Sequence, residues 1–299
     1  MEGELMGLKG AFYKGFTGAW MILVLGAWAA IDQGYTEPWL SFADVPGGSV
    51  GGMAVALVAI LGGAGVIGAS QQRHESGEWQ AAGRQAGFEP AGDGTLPELT
   101  GTVDGRAVTA RYERRKRGGG AEDEVRWVPF TSVEAELSGP VDEGVVVGPV
   151  GGELHVEDGV GTIDFEDVAA SAATADGLVS TETEALVALG MSTAAAEHLV
   201  DGVSGDAIRA IGDLQVVSAG DASGVVARWA DARNEELEGS MAEYPVENLV
   251  ERVPGDATTV TVETKAAVRD GEDLRRFAEG VVAIADTFEE SITPGQVSR

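Results

Sequence analysis

The chain of 299 residues contains no cysteine, and it has few lysines and few histidines. Without cysteine there is no disulfide, no thiolate ligand for zinc and no cysteine nucleophile, so those three kinds of site are excluded. Lysine occurs at four positions beside 16 arginines. No N-x-Ser/Thr acceptor for glycosylation is present either.

Positive charge as a whole is scarce, because 20 basic residues stand against 49 acidic ones, for a formal net charge of −29. Nucleic acid is therefore disfavoured as a partner, since binding it depends on cations that neutralise phosphates. Many acidic, Ala, Val and Gly residues with little lysine are typical of extreme halophiles, where molar salt screens the self-repulsion. In that case the acidic residues adapt the surface of the protein to high salt and say nothing about its partners. The alternative is a cation sink or a docking face for a basic partner.

Long uncharged apolar runs are absent after residue 69, but two precede it. Residues 15–31 would span roughly 25 Å as a helix, against about 30 Å for a hydrocarbon core. Residues 50–69 form a run of 20 without charge, which is long enough to cross. The pattern predicts two transmembrane helices joined by a short external loop at 32–49.

The cations that flank the runs predict the orientation. Lys9 and Lys14 precede the first run, Arg73 follows the second, and the loop has no lysine or arginine. The positive-inside rule then places the N-terminal segment 1–14 and the C-terminus in the cytoplasm, with the protein in the cell membrane. A cleaved signal peptide is the alternative for the first run, since Ala27-Trp28-Ala29 resembles a cleavage site.

Small residues in the second run predict contact between helices, with a second copy or with another membrane protein. Ala64 and Gly68 are four residues apart, as are Gly65 and Ala69. Small residues at this spacing let two membrane helices approach closely. The same glycines fit G-x-G-x-x-G, the turn that binds dinucleotides. The residues that follow have neither the apolar helix face nor the second strand which that motif requires.

The remaining residues predict a juxtamembrane helix or linker at 70–92 and an acidic α+β domain at 93–299, divisible at residue 150. Residues 99–103, an Asp104-Gly105 turn and residues 106–112 form a strong hairpin signal. Alternating apolar residues continue the strands through residues 125–137. The prediction is an antiparallel meander, to which residues 145–147 and 153–157 add.

Beyond residue 165 the pattern is mixed. It predicts helices at 182–189, 193–200 and 206–211, and strands at 214–217, 225–229 and 258–268. Asp270 predicts the N-cap of a final helix. The apolar residues of that helix form one face: Leu274, Phe277, Val281, Val282, Ile284, Ala285 and Phe288.

Trp79 and three segments, 99–108, 131–137 and 162–165, carry a resemblance. They are similar to a pattern in uncharacterised membrane-anchored prokaryotic proteins of haloarchaeal type, in which a short anchor precedes a domain of this layout. The resemblance covers about half of the chain and rests on structural residues. It implies no activity and no cofactor.

The basic run Arg114-Arg115-Lys116-Arg117 is the sharpest local feature. One interpretation is contact with anionic lipid headgroups, which attract each nearby cation by about 1 kcal/mol in ordinary salt. Molar salt shortens the Debye length to about 3 Å and weakens that attraction. The sequence favours the other interpretation, a solvated hairpin tip whose cations face Glu122, Asp123 and Glu124 across the turn.

Four carboxylates around a glycine-rich turn make a calcium or magnesium site conceivable: Asp158, Asp164, Glu166 and Asp167. Their spacing does not match an EF-hand loop. His198 and Asp201 would share a helix face, but two side chains are too few to hold a metal ion. No serine motif for nucleophilic catalysis is present.

The sequence therefore predicts a membrane protein that acts as a non-enzymatic interaction or accessory module, with the lipid bilayer as one partner and no cofactor. Two alternatives stay open. One is a sensor of a small molecule or divalent ion, and the other is a membrane-bound hydrolase.

Overall fold

The computed structural model describes residues 24, 69–70, 72–92, 94–117, 126–150, 152–155, 162–165, 177–203, 212–236, 253 and 255–292. The chain divides into two units, Met1–Gly77 and Glu78–Arg299. The described residues of the first unit are helical. The account below concerns the second unit.

The predicted fold class, a two-helix transmembrane hairpin followed by a domain with a β-meander and packed helices, is wrong. None of the helices in the described part of the chain combines the length and apolar character needed to cross a membrane. In the described residues, nine of the eleven strands join instead into one large antiparallel sheet, which is accompanied by four helices. The predicted spans at 15–31 and 50–69 lie outside the described residues, apart from Val24 and Ala69.

The described elements are four helices and eleven strands. Helix α1 covers residues 72–86. The strands are β1 (Glu89–Ala91), β2 (Glu98–Val103), β3 (Arg106–Arg117), β4 (Arg126–Glu136), β5 (Gly144–Pro149), β6 (Glu153–His155), β7 (Thr162–Asp164), β8 (Val179–Glu182), β9 (Leu186–Gly190), β10 (Asp213–Gly220) and β11 (Thr259–Lys265). The other helices are α2 (Thr193–Val203), α3 (Ala222–Glu236) and α4 (Gly271–Ile292).

Nine strands form the main sheet in the order β1-β2-β3-β4-β11-β10-β5-β9-β8, and every neighbouring pair is antiparallel. The last long strands of the chain, β10 and β11, insert between β4 and β5. The predicted meander therefore does not continue into residues 145–147. Of the predicted strand at 153–157, residues 153–155 pair with β7 in a separate two-stranded sheet, and residues 156 and 157 lie outside the described residues.

The β2–β3 hairpin follows its turn signal. Asp104 and Gly105 both have positive φ, 50° and 88°, which suits the tight turn that matches strand twist. Gly101 on β2 lies against the ring of Phe88, and a Cβ there would come within 2.2 Å of a ring carbon. Trp79 on α1 donates its indole N–H to the carbonyl of Pro97 at 2.8 Å.

One face of the sheet, which we call the inner face, is covered by α1, α2 and α4. Alternate residues of the strands point into this layer and form the main core with the helices. Helix α4 begins at the predicted cap, where Asp270 Oδ1 accepts from the amides of Glu272 and Asp273 at 2.8 and 3.2 Å. All seven apolar residues predicted for its buried face are buried.

The opposite, outer face divides into two parts. Around β5, β9 and β10 it is apolar and is packed by Phe165 and by α3, whose Val225 and Trp229 are buried. Across β2, β3, β4 and β11 it carries charged and hydroxyl side chains. The ion pairs of this polar part are described below.

Two element predictions are wrong. Residues 182–189 were expected to be helical but form parts of β8 and β9, because a short buried apolar run looks the same in a helix and a strand. Residues 225–229 were expected to be a strand but lie in α3. Asp221 caps that helix by accepting from the Gly224 amide at 3.0 Å, and tertiary packing overrides the β-branched residues.

Candidate functional site

The polar part of the outer face is built around two arginines of β3. Arg111 Nε and Nη1 donate to Glu98 on β2 and Glu134 on β4, both at 2.7 Å. Burial lowers the pKa of Arg111, but these hydrogen bonds and charges outweigh the effect and leave that pKa raised. Each flanking strand thus supplies one carboxylate to the arginine between them.

Arg115 repeats this arrangement further along β3 with more burial. Its guanidinium lies 4.6 Å from the centroid of the Phe130 ring and donates to Glu263 Oε1 at 2.8 Å and Oε2 at 2.5 Å. It also pairs with Glu113. Burial lowers the pKa of Arg115, but the bonds to Glu263 and Glu113 raise it by more. The Glu263 side chain is only 6% exposed, and the pair reaches across β4, the one strand between β3 and β11.

Beside this pair lies a buried hydroxyl with no hydrogen-bond partner. Thr261 is 1% exposed, and its Oγ1 is the one buried side-chain polar atom without a partner in the part of the chain that the structure describes. Gly255, with φ of 85°, passes so close that a Cβ there would lie 2.5 Å from that oxygen. The close approach of Gly255 leaves little space beside the Thr261 hydroxyl for a hydrogen-bond partner.

Strands β3 and β4 extend past their neighbours. Among the described strands, β2 pairs with β3 only as far as Ala110, and β11 pairs with β4 only as far as Thr131. The pairing of β3 with β4 continues for five more residue pairs, 113–117 against 126–130. These ten residues, which we call the arm, would reach about 17 Å at 3.4 Å per residue.

The inner face of the arm lies beyond the helical layer. Tyr112 and Thr131, at its base, are 5% and 0% exposed. Arg114 on the same face is exposed, and Trp127 is 58% exposed. Trp127 is the one large apolar side chain that is mainly exposed in the described residues. The register places it directly opposite Lys116.

On the outer face of the arm, the register places Arg117 directly opposite Arg126. Like charges at directly opposed positions of an antiparallel pair repel each other. The loop that joins the two strands contributes Glu122, Asp123 and Glu124, so residues 114–126 hold five basic and three acidic residues. The arm end is therefore a basic position in a chain of net charge −29.

The predicted basic run Arg114–Arg117 thus lies on the arm, with its members divided between two faces. The structure assigns Arg115 to the ion pair with Glu263, which the sequence did not indicate because the two residues are far apart in the chain. Contact of this run with a membrane surface stays a prediction.

The predicted metal site falls mostly outside the described residues. Asp158, Glu166 and Asp167 are not described, and Asp164 is the last residue of β7. His198 and Asp201 are exposed on α2. Within the described ranges, no group of three metal-ligating side chains lies together. Of the predicted helix-contact residues, Ala64, Gly65 and Gly68 lie outside those ranges, and Ala69 is helical and exposed.

A second cluster, missed by the sequence reasoning, joins α4 to the β2–β3 turn. Arg106 donates to Asp286 Oδ1 at 2.6 Å, to Glu289 Oε2 at 2.5 Å and to the Glu136 carbonyl at 2.8 Å. Glu289 also accepts from the amide and hydroxyl of Ser138. Burial raises the pKa of Glu289, but the hydrogen bonds from Arg106 and Ser138 lower it by more, and the pKa is depressed.

A groove of about 480 Å³ lies beside this cluster. It is lined by residues 138–143 together with Glu289 and Ile292. Ser192, the N-cap of α2, donates to Glu143 Oε2 at 2.9 Å near it. The carboxylates of Glu289 and Glu143 accept hydrogen bonds from Arg106, Ser138 and Ser192. We therefore assign them a structural role, which is to hold α4 and the start of α2 to the sheet.

Comparison with known proteins adds little. No family model and no curated protein matches the chain. Among solved structures, the chain is similar to the crystal structure of the mycobacterial trehalose monomycolate transport factor A, TtfA, at 7% identity and a TM-score of 0.36. The match covers 71% of this chain and 93% of that one. At this level the likeness carries no argument about fold or function.

Proposed function

We propose that this protein is a non-enzymatic interaction module and that the end of the arm is its contact surface. The observation that carries the proposal is Trp127, exposed at 58% on a strand pair that extends past the helical layer. Tryptophan and arginine are enriched where proteins bind one another, because they combine a large apolar surface with directed hydrogen bonds.

Support also comes from the way the arm is held at its base. Arg115 fastens the outer face of the arm to Glu263 on β11 and covers Phe130. On the inner face, Arg269 donates to the Tyr112 hydroxyl at 3.0 Å and to Glu78 at 2.8 Å. An arm fixed at its base presents its end in one geometry, which reduces the entropy lost on binding.

The test is site-specific photo-crosslinking in the native cells. A photo-reactive phenylalanine analogue replaces Trp127, and the matched control carries it at the exposed Glu290 of α4. We expect a discrete cross-linked product of defined stoichiometry at position 127 and none at position 290. Equal products from both positions, or none from position 127, would contradict the proposal.

A further inference from the structure

We infer that the groove beside the end of α4 binds a basic segment of a partner protein, whose lysine or arginine side chain is held by Asp142 and Glu143. The inference goes beyond the proposed function and does not depend on it. The arm includes the start of β4, whereas residues 138–143 of the groove follow the end of that strand. The two surfaces therefore lie toward opposite ends of β4.

The first argument is the charge of the groove, whose described lining has three carboxylates and no lysine or arginine. Glu289 is compensated, because it forms an ion pair with Arg106. Among the described residues, Glu143 accepts only from the neutral hydroxyl of Ser192, through Oε2. Asp142 is exposed, and it has no hydrogen bond or ion pair with any residue that the structure describes. Two negative charges thus have no counter-charge.

The second argument is the shape of the groove. Its volume of about 480 Å³ is within the range of about 300–1,000 Å³ that is usual for ligand pockets. A concave surface with charges of one sign concentrates their electric field. In the described part of the chain, no three metal-ligating side chains lie together, so the three carboxylates do not surround one metal ion. An elongated organic cation fits such separated carboxylates better than a metal ion does.

The third argument is the apolar part of the groove, which determines the class of the partner. Val141 and Ile292 are partly buried and pack against the main core, and the exposed Pro140 lines the groove beside them. The carbon chain of a lysine or arginine covers apolar surface while its charged group contacts polar atoms. A small free cation has many places to bind on a chain with 49 acidic residues. A polypeptide segment that also covers Val141 and Ile292 is specific for the groove.

The loop that carries Asp142 is held in place by main-chain hydrogen bonds. The Val141 amide donates to the Ala257 carbonyl at 2.8 Å, and the Val141 carbonyl accepts from the Asp221 amide at 3.2 Å. A surface that is fixed before binding loses less entropy when a partner binds. The groove is therefore preorganised on the side that carries the uncompensated charges.

The experiment measures binding of the full chain to a fluorescein-labelled peptide of alternating lysine and valine by fluorescence anisotropy in molar potassium chloride. Molar salt shortens the Debye length to about 3 Å, so it largely removes attraction to the overall charge of the chain. A second peptide has serine in place of valine, and a third has glutamine in place of lysine. We expect the lysine–valine peptide to bind and the other two to bind about tenfold more weakly or not at all.

The variant Asp142→Asn/Glu143→Gln should weaken binding of the lysine–valine peptide about tenfold or more. Glutamine at position 143 keeps an oxygen that can accept from Ser192, so the loop should keep its structure. The matched control is Glu197→Gln/Asp201→Asn, which removes the same two kinds of charge from exposed positions on α2. The control should change the affinity by less than about twofold.

Hydrogen exchange locates the peptide on the protein. Exchange should slow at residues 138–143 when the lysine–valine peptide binds, and unchanged exchange in the core strands of the variant confirms that it folds. Slower exchange in the arm instead of at 138–143 would place the peptide on the arm and overturn the inference.

Three further results would also overturn it: no binding of the lysine–valine peptide, equal binding of the lysine–serine peptide, or equal weakening by the α2 control. The photo-crosslinking at position 127 tests the arm alone. Failure of the groove and failure of the proposed function are therefore distinguished by separate measurements.

Discussion

The two faces of the sheet across β3, β4 and β11 are stabilised in different ways. The inner face is apolar, and Val108, Val133 and Val262 pack beneath the helices with at most 2% exposure. The outer face, made by the alternate residues of the same strands, carries Arg111, Arg115 and their carboxylates. Burial of apolar area stabilises the first face, whereas paired charges give the second only a small net gain. Stability should therefore depend on the first face and the geometry of the arm on the second.

The largest expected effect is on the inner face. Phe277→Ala on α4 removes a ring that is 0% exposed and leaves a cavity, so the free energy of unfolding should fall by about 3–5 kcal/mol. Denaturant unfolding measures it. The control Trp127→Ala, at the exposed arm end, should change it by less than about 0.5 kcal/mol. Equal losses would mean that the arm belongs to the core.

The next effect tests the most buried charge of the outer face. Glu263→Gln leaves Arg115 without its main counter-charge, and we expect a loss of about 1–3 kcal/mol. Glu98→Gln, at the 51% exposed partner of Arg111, should lose at most about 1 kcal/mol. A double-mutant cycle with Arg115→Met isolates the pair. A coupling energy near zero would show that the Arg115–Glu263 pair does not hold the arm.

A smaller and opposite effect is expected at Thr261. Thr261→Val replaces the unpaired hydroxyl with a methyl group of similar shape, so the free energy of unfolding should rise by about 1 kcal/mol. Thr261→Ser keeps the hydroxyl and should give no gain. If the valine variant is less stable in thermal and denaturant unfolding, the hydroxyl has a partner in solution.

The smallest effect depends on pH and lies where α4 meets the sheet edge. Because the pKa of Glu289 is depressed in the folded state, its stabilisation is present above about pH 4.3 and is lost as the pH falls through the folded pKa. Glu289→Gln should lower stability at neutral pH by at most about 1 kcal/mol, because Asp286 still pairs with Arg106.

The difference between wild type and Glu289→Gln should therefore shrink as the pH falls below about 4.3. Glu290→Gln, an exposed neighbour with the same change in charge, controls for the acidity of the chain as a whole. A difference that stays constant down to pH 3, or that appears equally in the control, would contradict the assignment.

Local signals predicted several elements because the interactions that form them are local. The Asp104-Gly105 turn and the alternation on either side of it predict the β2–β3 hairpin, and Asp270 with its apolar stripe predicts α4. The prediction failed where local patterns are ambiguous. Residues 186–190 form an internal strand that is buried on both faces, so they show no alternation and look like a helix. Val225 and Val226 have a local preference for strands, but the packing of α3 onto the sheet outweighs that preference.

The candidate site was predicted only in part. A run of four cations is visible in the sequence, but its division between two faces follows from the strand register. The exposure of Trp127 depends on where the helical layer ends, and its neighbours in the sequence do not indicate that. The partners of Arg115 and Arg106 lie 148 and 180 residues away, so no local pattern identifies them.

By itself, the sequence determined the acidity of this protein, the absence of cysteine chemistry, the β2–β3 turn and the amphipathic last helix. These properties depend on composition and on residues a few positions apart. Only the tertiary structure decided that β10 and β11 lie between β4 and β5, that Arg115 pairs with Glu263, and that Trp127 is exposed. The physical reason is that strand pairing brings together residues far apart in the chain, so the partners of a charged side chain and its burial follow from the tertiary structure.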